Sequence, residues 1–130
     1  MDWNGIALTA AGAIGGGTAV IHGILMQRLM IRPIEAAFAS NGRMSAPMRK
    51  LVSWLLHFTT FNWLLSGLAL IAAAIWFEQD VRLAIGLLAG GSFMYGAVIT
   101  LWIMRRLHPG WILMAIACIL IVLGLIPGAS

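Results

Sequence analysis

The stretch LVSWLLHFTTFNWLLSGLALIAAAIW, residues 51–76, decides the fold. It belongs to a run of 27 residues between Lys50 and Glu78 with no formal charge. A helix rises about 1.5 Å per residue, and roughly 20 apolar residues cross the hydrocarbon core of a bilayer. Backbone polar groups have no water to bond to in that core, so a run this long and apolar must be helical. The alternation of apolar and polar residues that marks a membrane barrel strand is absent.

The same gap recurs on both sides. Asp2 and Arg28 are separated by 25 residues without formal charge, and Arg82 and Arg105 by 22. The 24 residues after Arg106 carry none. The spacing predicts an all-α bundle of four transmembrane helices with up-down topology, spanning about 5–29, 51–76, 83–104 and 110–127. The chain of 130 residues reads as a single integral membrane domain, residues 1–130. Its composition agrees: 62% hydrophobic and 9% charged, against about 25% charged in a soluble domain. The first apolar stretch lacks a basic leader and has full span length, so it reads as a retained span rather than a cleaved signal.

Seven of the eight Lys and Arg residues flank the first and third connections: Arg28, Arg32, Arg43, Arg49, Lys50, Arg105 and Arg106. Only Arg82 falls with Glu78 and Asp80 at the second. The positive-inside rule makes the basic side cytoplasmic and puts both termini outside. The net charge of +4 is then a topology signal and an attraction to anionic headgroups rather than a nucleic-acid footprint. Trp3 and Trp76 fall near the outer boundary, Trp54, Trp102 and Trp111 near the inner one, and Trp63 at mid-depth. The first connection, about 31–50, is expected to form a cytoplasmic amphipathic helix on the inner leaflet, with Arg32 and Arg43 toward headgroups and a turn at Ser40-Asn41-Gly42.

Small and polar residues mark the faces on which membrane helices pack. In span one, Gly12, Gly15, Ala19, His22 and Met26 share a face; in span two, Ser53, His57, Thr60, Leu64 and Gly67 do. Thr59, Asn62, Ser66, Ala69 and Ala73 form a second stripe, so span two is expected to act as the hub. Span three offers Ser92, Tyr95 and Gly96. Counted from the flanking charges, His22 and His57 fall at nearly the same depth, roughly 10 Å inside the basic boundary. Ionisable residues there are costly and suggest function.

The residues leave three functional readings. In the first, His22, His57, Thr60, Asn62 and Tyr95 form the polar core of a non-enzymatic binding or accessory membrane subunit, working alone, as a homo-oligomer or within a larger membrane complex. In the second, His22 and His57 hold a haem axially, or join Met26 in binding copper, since soft thioethers favour Cu(I). In the third, the chain assembles into an oligomeric permease for a small solute or ion. All four acids lie outside the spans, which removes the buried carboxylate of a proton relay and any Ser-His-Asp arrangement. Cys118 stands alone and reads as an apolar filler. Gly12, Gly15, Gly16 and Gly17 lack the spacing of a nucleotide loop. His108 reads as a solvated loop residue.

The runs VIHGILMQRLMIRPI (residues 20–34) and MRKLVSWLLHFTTFNWLLSGLAL (residues 48–70) resemble an uncharacterised group of small bacterial four-span membrane proteins. The shared pattern is a histidine late in span one, a basic exit, and Trp-x-x-His-x-Thr-Thr-x-x-Trp in span two. Here the second pattern reads Trp54, His57, Thr59, Thr60 and Trp63, with Gln27 where the group carries an acid. The resemblance covers about half the chain. It implies that His22 and His57 matter together and that the protein is multi-pass in a bacterial inner membrane, and it brings no activity. A similarity to fluoride channels, in length and the string Thr59-Thr60-Phe61, fails on the placement of that string in span two. It also fails on the strong charge asymmetry, since those channels assemble as antiparallel dimers.

Overall fold

The computed structural model describes residues 2–41 and 45–126. Helix α1 runs Trp3–Met26, α2 Arg32–Asn41, α3 Ala46–Trp76, α4 Gln79–Met104 and α5 Pro109–Leu125. No strand occurs among the described residues. The chain folds as an all-α bundle, and three of its helices are long and apolar enough to cross a membrane. Helix α3 begins five residues before the expected span and α4 four residues before its own, and the helix that contains span one does not end at residue 29. Residue 127, the expected end of span four, lies outside the described residues, as do Arg43 and Gly42 of the first connection.

Sequence neighbours pack as antiparallel neighbours: α1 against α3, α3 against α4, α4 against α5, with α5 closing back onto α1. Span two therefore touches partners on two sides, as its two stripes require. The most deeply embedded helix is α1, however, which buries nine residues to the five of α3. The centre is filled by Phe93, Leu8, Leu70, Trp63 and Met114, set among Ala11, Ala19, Ala89 and Ala117. Alanine and glycine let the helices approach, and large side chains reach across the gaps they leave. At Gly12 and Gly67 the backbones of α1 and α3 meet: a Cβ on Gly12 would stand 2.5 Å from the Gly67 carbonyl oxygen, and one on Gly67 2.6 Å from that of Gly12.

Outside this core the surface is apolar. Leu87, Leu88, Phe58, Trp54, Val122 and Ile119 are all more than half exposed. In water such a surface would aggregate; in lipid it is the contact surface.

The first connection does contain a helix, α2, but it continues the first span without a break instead of standing apart, and Ser40 and Asn41 of the expected turn belong to it. Residues 3–40 form one helical segment, in which Gln27–Ile31 adopt a π-helical turn before α2 begins. The Arg32 N–H reaches back five residues to the Gln27 carbonyl. Pro33 follows directly; it has no N–H to donate, and in a regular helix its ring would press on the carbonyl four residues earlier. A widened turn just upstream relieves that crowding.

The end opposite the basic residues is closed by side chains on carbonyls. Arg82 donates from Nε to the carbonyls of Phe77 (2.9 Å) and Ala73 (3.3 Å), from Nη2 to Ala74 (2.9 Å) and from Nη1 to Asp2 Oδ2 (3.3 Å). It thereby supplies donors to the last turn of α3, where the Ala73 carbonyl also accepts from the Phe77 N–H and that of Ala74 has no helical partner. Asn4 Nδ2 and Gln79 Nε2 do the same for α5, at Ile126 (3.0 Å) and Leu125 (3.1 Å). Asp2 caps α1 by accepting from the Gly5 N–H at 3.0 Å.

Candidate functional site

The polar residues of α1 and α3 meet toward the basic end. Down the seam, Gly12 faces Gly67, Gly16 faces Leu64, and Gly23 faces Thr60. Next come His57, hydrogen-bonded to Gln27 Oε1 at 2.9 Å, and Ser53, which donates to Glu35 Oε1 at 2.7 Å. The first stripe of α3 thus turns its length to α1. The second turns to α4: Asn62 Nδ2 donates to Ser92 Oγ, while Ser66 and Ala69 line a crevice with Ile85 and Ala89.

The histidines do not form a pair at one level. His57 lies opposite Gln27, and His22 lies one turn deeper, its ring 5.0 Å from that of Trp63 and tilted by 57°. The five residues from His22 to Gln27 amount to roughly 7 Å along the axis. His22 Nε2 and Thr60 Oγ1 are buried and without a hydrogen-bond partner. Buried polar atoms are nearly always satisfied, so two orphans on neighbouring positions of one seam call for an explanation.

A cavity of about 440 Å³ opens beside them, lined by Val20, Gly23, Ile24, Gln27, Arg28, Arg32, His57 and Thr60. A second, of about 300 Å³, is lined by Gln27, Ile31, Glu35, Ser53, Trp54 and His57. The Gln27–His57 hydrogen bond contributes to both walls and divides them.

Three expected members of the site lie elsewhere. Tyr95 is 70% exposed on the outer face of α4, because it sits off the line of Ser92 and Gly96, which face α3. Asn62 belongs to the α3–α4 contact, away from the histidines. Met26 is half-buried on α1, but the stripe of His22, Met26 and Met30 breaks at the π-turn and leaves Met30 exposed. No group of three His, Cys, Asp or Glu residues with metal-binding geometry occurs among the described residues. The His57 ring nitrogen nearest the cavity is engaged by Gln27, and Cys118 Sγ rests 3.7 Å from the Gly90 carbonyl. His108 caps α5, its Nδ1 accepting from the Gly110 N–H at 3.1 Å, rather than standing free in solvent.

Sequence reasoning passed over Gln27, Arg28 and Arg32 as site residues. Their signal was present in the basic exit of span one, where Gln27 already stood out. It also passed over Asn4, Gln79 and Arg82, whose acceptors lie as far as 122 residues away.

The fold and site define an all-helical membrane-type bundle with a polar, cation-bordered cavity at one end. Compared with known proteins, the chain matches no family model, no curated protein and no solved structure.

Proposed function

We propose that this is a non-enzymatic membrane protein whose α1–α3 seam holds a small polar ligand or headgroup near the cytoplasmic face. In this reading all four long helices cross a bacterial inner membrane, with both termini outside. The 17 residues of α5 cover about 25 Å, slightly short of the hydrocarbon core, which local thinning of the bilayer accommodates.

The observation that carries the reading is the orphaned pair, His22 Nε2 and Thr60 Oγ1, beside the cavity that Thr60 lines. Both atoms lie behind the cavity wall, so a ligand with a hydroxyl, amine or phosphate would reach them by displacing that wall at Thr60. Catalysis finds less support: Glu35 is the one acid near the seam among the described residues, and it is occupied by Ser53. Permeation through one chain is opposed by the packed centre, where Phe93, Leu8 and Leu70 are fully buried. Axial haem ligation by the two histidines is opposed by their one-turn offset and by the Gln27 bond.

Native mass spectrometry and an absorption spectrum of protein extracted in mild detergent test the proposal. The expected result is a colourless protein that retains a small molecule or lipid, lost in the double variant His22→Leu/Thr60→Val. A Soret band or stoichiometric copper removed by the same variant would replace this reading with the cofactor one.

A further inference from the structure

Arg28 and Arg32 border the larger cavity, and neither guanidinium has an ion-pair or hydrogen-bond partner among the described residues. Of the four acids, Asp2, Glu78 and Asp80 belong to the opposite end. Glu35 lines the smaller cavity with its carboxylate on Ser53. The larger cavity therefore carries two guanidinium groups and no carboxylate. Its wall is also graded. The exposed side chains of Val20 and Ile24, with Thr60 beside Gly23 between them, form the part nearer the bundle centre, Gln27 and His57 the middle, and Arg28 and Arg32 the part nearer the basic end. Apolar below, hydrogen-bonding at mid-height and cationic above is the chemical profile of a phospholipid read from acyl chain to phosphate.

We propose that this cavity seats the phosphate ester of an anionic membrane lipid, with Arg28 and Arg32 on the phosphate and Val20 and Ile24 against the upper acyl chain. The inference rests on the binding reading above and names its ligand class. Guanidinium groups match phosphate oxygens with paired N–H donors in a fixed plane, which an ammonium does not reproduce. The π-turn that Pro33 follows carries Arg28 and hands on directly to Arg32, so both cations are held by a defined backbone. The same chemistry would hold a soluble phosphate; the graded wall and the exposed apolar side favour the lipid.

The test is native mass spectrometry of delipidated full-length protein in detergent, titrated with phosphatidylglycerol or phosphatidylcholine of identical chains, with inorganic phosphate as competitor. The expected result is one phosphatidylglycerol per chain, preferred by about tenfold, with Arg28→Gln/Arg32→Gln falling to parity and Arg28→Lys/Arg32→Lys keeping part of the preference. Millimolar inorganic phosphate leaves the lipid in place. Parity in the unaltered protein, or a preference unchanged in the glutamine variant, overturns the proposal; displacement by inorganic phosphate overturns the lipid as its source. The His22→Leu/Thr60→Val variant separates the two readings. If it loses the retained ligand while the glutamine variant does not, the binding reading stands and the arginine assignment fails. If neither loses anything, both fail. Circular dichroism and gel filtration establish that each variant is folded before it is scored.

Discussion

Arg82 is the one basic residue on the side where the positive-inside rule disfavours it, and its surroundings explain why it is tolerated there. Its guanidinium answers the otherwise unpaired carbonyls of Ala74 and Phe77 at the end of α3, adds a second donor to that of Ala73, and meets the N-cap aspartate of α1, and its side chain is only 16% exposed. Removing it leaves the Ala74 and Phe77 carbonyls without that donor. Arg82→Ala should lower unfolding stability in detergent by about 1–3 kcal/mol, and Arg82→Lys should recover only part, because one ammonium cannot reach the same acceptors. Asp2 answers the same cluster. The Gly5 N–H, and after it Arg82, hold its carboxyl below the usual aspartate range. A carboxyl lowered in the folded state contributes stability above its unfolded pKa and loses it as pH falls through the folded one. The difference between the protein and Asp2→Asn should therefore be constant above roughly pH 5 and vanish on acidification below about pH 4. A thermal-shift series over that range measures it.

At the scale of the helices, the α1–α3 seam was legible before the structure. Gly12 on one helix and Thr60, Leu64 and Gly67 on the other do meet, because small and polar residues leave lipid whenever a neighbour is available, but Gly15 turns to Phe93 of α4, and Gly16 and Gly23 face α3 in its place. What was not legible was rotation and level. A helical period cannot announce a π-turn. Tyr95, with an apolar ring and one hydroxyl, is as suited to the lipid side as to a core. The two histidines were placed level only because nearby charges were taken as rulers. The contact at Gly12 and Gly67 gives a sharp contrast. Gly12→Leu meets backbone rather than a yielding side chain and should destabilise by about 1–3 kcal/mol. Gly17→Leu, with nothing within 4 Å of its Cβ position, should stay within about 0.5 kcal/mol of the parent. Equal losses at both positions would contradict the packing.

For the whole molecule, polarity is divided between the two ends. One end is closed: Arg82, Asn4 and Gln79 spend their donors on helix-terminal carbonyls. The other keeps unspent cations, orphaned polar atoms and two cavities. This division was half visible in the sequence, as seven basic residues against one. The closing contacts were invisible because they join residues 46, 80 and 122 positions apart. The proposed orientation rests on the same asymmetry. In a Cys118→Ala background, Glu78→Cys should react with a membrane-impermeant maleimide on intact bacterial cells, and Ser45→Cys only after lysis. The reverse pattern would turn the molecule over and place the cavity on the outer face.

The central claim is that the basic end of the α1–α3 seam is a ligand site rather than a packing defect. Imidazole nitrogen NMR of the protein in nanodiscs tests it most directly, because His57 lines the cavity and His22 carries one of the orphaned atoms, while His108 caps α5 outside both cavities. Replacing phosphatidylcholine with phosphatidylglycerol should move the His22 and His57 signals, leave His108 in place, and have no such effect in Arg28→Gln/Arg32→Gln. Signals that are indifferent to the lipid, or that move equally for all three histidines, would contradict the account.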